Sequence, residues 1–351
     1  MGMHPKLKSE NFHEFYNLIF GLNKDRSIKY LLDHDLIDNS RVTNWKDHLT
    51  ALEPSSPVWF ELHDHFKINI DAQIIKGGHI SSKSSLDIIK NYKYASEIFN
   101  SKIFSENSNR GKIALDFGSG VYRPLGVAAL LYINGFDHVY AYEPFPIKLD
   151  FAVISFNEIL KNIIDNPTEY NISLINNDEL MIRAKSLLVS NFGNLLSAFY
   201  SGNVKKVRIG GISLISDIEL IQDNQIDVHF SNAVLEHVSD MESNLNQLRR
   251  ITTPTSVGFH IVDFLDHRYY DEPTFSPLEK YYDGYLDEIN GLTPSELENI
   301  FIKNNWKIRK ITTQTVPLQI LSNDSRPLIS RYSSFSESEL LEHINFYEFK
   351  R

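Results

Sequence analysis

Two glycines and two acids mark the first place where this chain could do chemistry. Asp116-Phe117-Gly118-Ser119-Gly120 follows the apolar run Ile113-Ala114-Leu115 and precedes a second apolar pattern from Val127 to Ile133. Glycine lets a backbone turn tightly and approach a ligand with no side chain in the way. Glu143 ends a further apolar run, His138 to Tyr142. A carboxylate at the tip of a second strand, beside a glycine turn on the first, suits hydrogen bonds to the two hydroxyls of a ribose. Asp116, an acid directly before the turn, suits a cationic or amine-bearing ligand better than a pyrophosphate.

A second group lies further along. Ser231-Asn232-Ala233-Val234-Leu235-Glu236-His237 follows the buried run Ile226 to Phe230, and Asp263-Phe264-Leu265-Asp266-His267 follows Val257 to Val262. A neutral imidazole titrates near working pH, which suits a general base. His267 is the candidate base, with Asp263 or Asp266 to orient it, and His237 is the alternative. The competing readings are a polar loop over Asp266-His267-Arg268 and a His237 that packs on the turn beside the ligand.

The elements that must position these groups read as strand, glycine turn, helix, strand. A run buried on both faces, as at Ile113 to Leu115, is what a parallel strand shows. In an open parallel sheet, ligands bind at the carboxyl ends of the strands. The dinucleotide fingerprint wants glycine at its first, third and sixth positions. Those positions here are Gly118, Gly120 and Arg123. The missing third glycine disfavours a nicotinamide-dependent oxidoreductase.

The stretch Lys112 to Pro144 resembles instead the first two motifs of class I S-adenosylmethionine-dependent methyltransferases. The run Ser-Asn-Ala-Val-Leu-Glu-His, followed by a helix ending in Arg249-Arg250-Ile251, resembles that family's fourth-strand pattern. The resemblance covers residues 111 to 351. It implies an α/β, Rossmann-like, seven-stranded, mostly parallel sheet whose last strand, His343 to Lys350, inserts antiparallel at the sheet edge. It also implies S-adenosyl-L-methionine as cofactor, held by Asp116, Gly118, Ser119, Gly120, Glu143, Asn232 and Ala233. Lys206 to Ile209 is the expected third strand, and Gly210, Gly211 and Ile212 occupy the turn where the family often has an acid near the adenine. That contact is therefore absent, or passes to Asp217 or a backbone group. Family members with a Glu-x-x-Glu-His motif bind a divalent ion. Here Ala233 replaces the first Glu while Glu236 and His237 remain, with His260 or His267 as completing ligands, so the balance is against a metal.

Residues 1–105 read as an N-terminal helical segment, a cap over the substrate or a homodimer contact, and 106–351 as the methyltransferase domain. Apolar faces run through Phe12 to Phe20 and Ile28 to Leu36, a helix is expected from Val58 to Phe66, and Gly77 to Ser85 reads as a loop. His63, His65 and His79 show no metal-like arrangement. A helix over Lys148–Ile164, then an insertion at about 165–203 with a helix around Leu180–Tyr200, separates the second strand from the third. Leu235, Val238, Met241, Leu245, Leu248 and Ile251 give one helical face. Thr293 to Asn304, with Pro294 in its first turn, is a further helix, and Trp306 to Thr312 a sixth strand.

Composition narrows the function. With 351 residues and 42% hydrophobic content, the chain is long for one domain of about 200 residues. A net charge of −10 argues against a general nucleic-acid surface, as does the lack of an Asn-Pro-Pro-Tyr type motif after the fourth strand. The sequence contains no cysteine, which excludes disulfides and thiolate metal sites. No apolar run approaches the roughly 18 residues of a membrane span, and the N-terminus lacks a secretory h-region, so a cytoplasmic protein is expected. By family analogy the acceptor is a small-molecule or saccharide hydroxyl in a biosynthetic setting. N-methylation of a small amine and a non-catalytic methyltransferase-like binding module are the alternatives.

Overall fold

The structure, a computed structural model, describes residues 82–351 except 106–107, 122, 148, 188–205, 273 and 287–288. The helices and histidines expected before residue 82, residues 77–81 of the expected loop, and the part of the Leu180–Tyr200 helix beyond 187 lie outside the described residues; the last four residues of that loop, Ser82 to Ser85, are instead the first turn of a helix. In chain order the main elements are α1 (Ser82–Ile98), β1 (Ile113–Phe117), α2 (Gly126–Ile133), β2 (His138–Tyr142), α3 (Leu149–Asp165), β3 (Lys206–Ile209), β4 (Ile212–Ile215), β5 (Ile226–Asn232), α4 (Met241–Ile251), β6 (Thr252–Asp263), α5 (Pro294–Lys303), β7 (Lys307–Thr315) and β8 (Glu342–Lys350). Residues 177–187 are also helical.

The chain divides into two compact units. Among described residues the first holds 82–90, 104–111 and 119–217, and the second 91–103, 112–118 and 218–351. The eight strands belong to one sheet, hydrogen-bonded in the order β3-β4-β2 in the first unit and β1-β5-β6-β8-β7 in the second. The expected mostly parallel sheet with a reversed C-terminal strand is present, with one strand more than the seven anticipated.

In the first unit the extra strand comes from a hairpin. Lys206–Ile209 pairs antiparallel with Ile212–Ile215, and it is β4 that runs parallel to β2. The third parallel strand is therefore Ile212–Ile215 and not Lys206–Ile209. Gly210 at φ +55° supplies the left-handed turn that a tight hairpin demands. A Cβ on Gly211 would sit 2.0 Å from the Tyr132 ring, so both glycines serve the turn and its packing. The apolar pattern predicted for α2 is buried almost all round, from Gly126 to Leu131 and at Ile133.

In the second unit β1, β5 and β6 are parallel, and β8 runs antiparallel to both β6 and β7. The last strand thus lies between β6 and β7, leaving β7 outermost, where the sequence reading put it at the edge. The strand expected from Val257 starts earlier, at Thr252, and Pro254–Ser256 fall at a register shift inside it: Ile226 pairs with Thr252 but Val228 with Val257, which lets proline sit where no ladder donor is needed. The helical face read from Leu235 to Ile251 is broken. Leu235–His237 forms a single 3-10 turn, and α4 starts afresh at Met241, where the Asp240 side chain caps the Ser243 N–H at 3.0 Å. Tyr92 of α1 packs on Phe230 of β5 at 4.7 Å.

Two insertions build a core that periodicity did not reveal. The stretch after β6 and the β7–β8 connection bury Leu265, Leu278, Tyr281, Tyr282, Val316, Tyr332, Leu340 and Leu341 against one another. Tyr332 packs edge-on against Tyr281 at 4.7 Å and donates its hydroxyl to the Gly291 carbonyl at 2.8 Å.

Candidate active site

The first unit carries the far half of the glycine turn and the second acid. The Ser119 N–H donates to the Tyr142 carbonyl at 2.9 Å. The Gly120 N–H donates to Glu143 Oε2 at 2.7 Å, while Glu143 Oε1 accepts from the Phe145 N–H at 3.1 Å. Glu143 is buried, and burial raises its pKa against these two backbone donors. Each carboxylate oxygen keeps a second lone pair, so holding the turn and accepting from two hydroxyls are compatible. Gly120 has φ +90° and a Cβ there would meet nothing within 4 Å: the space in front of it is open. The Ser119 hydroxyl is buried with no hydrogen-bond partner. Asp217 stands two residues after the end of β4, and it and Glu143 both add to burial in raising the Tyr142 phenol. Correcting the strand therefore brings an acid to the position that the earlier strand assignment left to Gly210 and Gly211.

The second unit carries the near half of the turn and the groups after β5 and β6. Asp116 is buried at the end of β1, and its charge adds to burial in raising the Tyr92 phenol. Gly118 has φ +74°, and a Cβ there would lie 2.5 Å from both methyls of Val234, so the glycine turn and the post-β5 turn fit against each other only without a side chain. Asn232 ends β5. Ala233 is held at φ +52°, its N–H donating to the Ile261 carbonyl at 2.9 Å. A non-glycine residue in the left-handed region costs about 1–2 kcal/mol, a strain that clusters at functional turns.

Glu236 and His237 lie in the 3-10 turn, so the first is driven inward. Glu236 is 5% exposed; its Oε1 accepts from the Asp263 N–H at 3.2 Å and its Oε2 has no partner. Burial pushes its carboxyl up to about 8. Asn290 fixes this turn: its N–H donates to the Glu236 carbonyl at 2.6 Å and its amide to the Leu235 carbonyl at 2.8 Å and the Val238 carbonyl at 3.1 Å.

His267 packs edge-on against His237, with ring centroids 4.8 Å apart. Its Nε2 is buried without a partner, and burial lowers its pKa, opposed by the nearby Asp263 charge. Among the described residues no carboxylate hydrogen-bonds the His267 ring. Asp266 is engaged by Arg268, at 2.9 Å from Nε and 2.5 Å from Nη2. Asp263 accepts from the Leu265 N–H at 2.9 Å and from the Tyr270 hydroxyl at 2.5 Å. Both acids suggested as orienters are thus directed elsewhere.

One ligand atom each from Glu236, His237 and His267 lies within 4.8 Å of the other two, a spacing that can hold a divalent cation. His260 is no part of it: it is buried in the sheet, bonded to His229 at 2.9 Å and Ser231 at 2.7 Å. Two further groups escaped the sequence reading. Lys280 is 2% exposed and donates to the Phe264 carbonyl at 2.7 Å; burial pulls its ammonium down to about 8 against the charges of Asp266, Asp263 and Glu236. His343, from the start of β8, stands 3.6 Å from Asp263 Oδ1. No periodicity or motif points at either residue, since both are brought in by the insertions and the reversed strand.

No protein-family model matches the sequence, and no curated protein matches it. Solved structures similar to this chain include the YcgJ protein from Bacillus subtilis (TM-score 0.38, 12% identity, covering 74% of this chain and 99% of that one). They also include geranyl diphosphate C-methyltransferase from Streptomyces coelicolor A3(2) (TM-score 0.37, 10% identity, 74% and 78%) and an arsenic(III) S-adenosylmethionine methyltransferase from Chlamydomonas reinhardtii (TM-score 0.35, 13% identity, 69% and 62%). At such scores likeness carries no weight for chemistry, which rests on this chain's own side chains.

Proposed function

We propose that this chain is an S-adenosylmethionine-dependent methyltransferase acting on a hydroxyl of a small molecule or saccharide. The observation that carries this reading is the pair of buried, unpartnered atoms Glu236 Oε2 and His267 Nε2, which follow β5 and β6 in a chain whose glycine turn and Glu143 suit an adenosyl group. Buried polar atoms without partners are rare in folded proteins and call for a ligand or a catalytic role.

The cofactor, when bound, supplies a methyl group on a sulfonium, which is already a good leaving group. Asp116 suits its amine, Glu143 its ribose hydroxyls, Asp217 its adenine, and Gly118, Ser119, Gly120, Asn232 and Ala233 the close backbone approach. The chain's remaining task is to align the acceptor and receive its proton. His267, whose pKa burial lowers, has a buried Nε2 without a partner and is the group to receive that proton. Glu236, protonated near neutral pH, orients the hydroxyl by hydrogen bonding. His237 packs the base in place and is the alternative base. N-methylation of a small amine would use the same groups.

Calorimetric titration with S-adenosylmethionine, S-adenosylhomocysteine and NAD tests the reading. Wild type is expected to bind both sulfur nucleosides and not NAD, and Glu143→Ala to lose them. Failure of wild type to bind either would leave a non-catalytic binding module, in which His267→Ala and His237→Ala keep biological activity. Repeating the methyl-transfer assay after chelation, then with Mg2+ or Mn2+ restored, decides whether Glu236, His237 and His267 work through a cation.

A further inference from the structure

Beside the candidate base lies a side chain with no assigned role that is both exposed and tightly held. Tyr270 is 53% exposed, yet its hydroxyl donates to Asp263 Oδ2 at 2.5 Å and lies 3.3 Å from His343 Nε2. Three elements meet at this one oxygen: the end of β6, the short helical turn after His267, and the start of β8. An exposed tyrosine ordinarily turns freely, whereas a short bond to a carboxylate, which is charge-assisted, fixes the ring plane. The turn beneath it is fixed too. Arg268 is bound by Asp266 and, at 2.7 Å, by Asp283, and its guanidinium stacks over the rings of Phe275 and Tyr285.

The ring so held extends an aromatic strip. His237 and His267 are 4.8 Å apart, His267 and Tyr270 5.7 Å, and Tyr270 and Tyr269 5.9 Å. The groups around the strip discriminate among ligands. A purely apolar ring would leave Glu236 Oε2 and His267 Nε2 unsatisfied, at a cost of about 1–3 kcal/mol each. The charges near the strip are of both signs, Lys280 and Arg268 against Asp263, Asp266 and Asp283, so they single out neither a cationic nor an anionic ligand. The rings and the two unpartnered atoms together suit a ligand with one apolar face and several hydroxyls.

We propose that Tyr270 positions the acceptor, its ring taking the C–H face of a pyranose while one sugar hydroxyl reaches Glu236 and His267, with Asp263 and His343 as positioning residues that hold the ring. This rests on the methyltransferase reading and names its acceptor class.

Saturation-transfer NMR with the methyl pyranosides of glucose, galactose and mannose tests it, with catechol and ethanolamine as comparators. Wild type is expected to transfer saturation to the ring C–H protons of at least one pyranoside. Tyr270→Ala should abolish that signal. Tyr270→Phe and His343→Leu, which keep the ring but free it, should weaken binding about threefold to tenfold, the scale of one neutral hydrogen bond. Silence from all three sugars in wild type, equal signals in Tyr270→Ala, or saturation of catechol or ethanolamine instead overturns the proposal. S-adenosylhomocysteine binding, measured on the same samples, should be unchanged in every variant; its absence from wild type would overturn the methyltransferase reading, while the sugar signal still judges Tyr270 by itself.

Discussion

Gly118 and Gly120 show how two like residues in one turn do different work. Both sit at positive φ, but only at Gly118 does added carbon collide, 2.5 Å from Val234, while Gly120 faces open space. Gly118→Ala is expected to destabilise the fold by roughly 2–4 kcal/mol, strain and overpacking together. Gly120→Ala should lose only about 1–2 kcal/mol from its left-handed backbone, yet lose the sulfur nucleosides because the new methyl fills their approach. Urea midpoints and calorimetry on the two variants separate the cases. Undiminished nucleoside binding by Gly120→Ala would move the cofactor away from this turn. The pair Gly-x-Gly was legible in the sequence, but which glycine meets protein and which faces open space depends on where Val234 lies.

At the scale of elements, the sheet of the second unit carries an acid-sensitive pair. His229 of β5 and His260 of β6 share a hydrogen bond of 2.9 Å and pack against Phe349 and Trp306. Burial pulls His229 down to about 3 and His260 well below its ordinary value, with the neighbouring imidazole adding to the effect. A histidine whose folded pKa is depressed contributes stability that is whole above its unfolded value of about 6.5. That stability drains as pH falls toward the folded pKa, by at most about 1.4 kcal/mol per pH unit for one site. Denaturant midpoints should therefore drop steeply between pH 6.5 and 4, and the double variant His229→Leu/His260→Leu, which orphans neither ring, should flatten that slope. A slope unchanged in the double variant would place the acid sensitivity elsewhere.

At the scale of the molecule, a second hydrophobic core joins the post-β6 stretch to the β7–β8 connection. Tyr332 is its pivot, 1% exposed and bonded to Gly291, next to the Asn290 that fixes the Glu236 turn. Tyr332→Ala is expected to cost about 3–5 kcal/mol and to shift the His237 and His267 ring resonances, while S-adenosylhomocysteine affinity stays near wild type. Equal loss of nucleoside binding would mean that the added core supports the cofactor as well. Among the described residues no helix is long and apolar enough to cross a membrane.

The parallel strands, the glycine turn and the acids at their tips could be read from residue order, because a short apolar run closed by Gly or Asn carries its own local signal. Glu236, His237 and His267 read the same way, as polar groups after strand ends. Their chemistry was not legible. A 3-10 turn in place of a helix buries Glu236 and frees one oxygen, and Asp263 and Asp266 bond to Tyr270 and Arg268 in place of His267. The hairpin that makes Ile212–Ile215 the third parallel strand, and so puts Asp217 at its tip, hangs on pairing across the sheet. Lys280, Tyr270, Asn290 and His343 come near Glu236 and Asp263 only through long-range packing of segments up to 107 residues apart (from Glu236 to His343). Local pattern records which face of an element is apolar; it holds no information on which distant polar group a buried atom will meet, since that is settled by the balance of desolvation and pairing in the assembled chain.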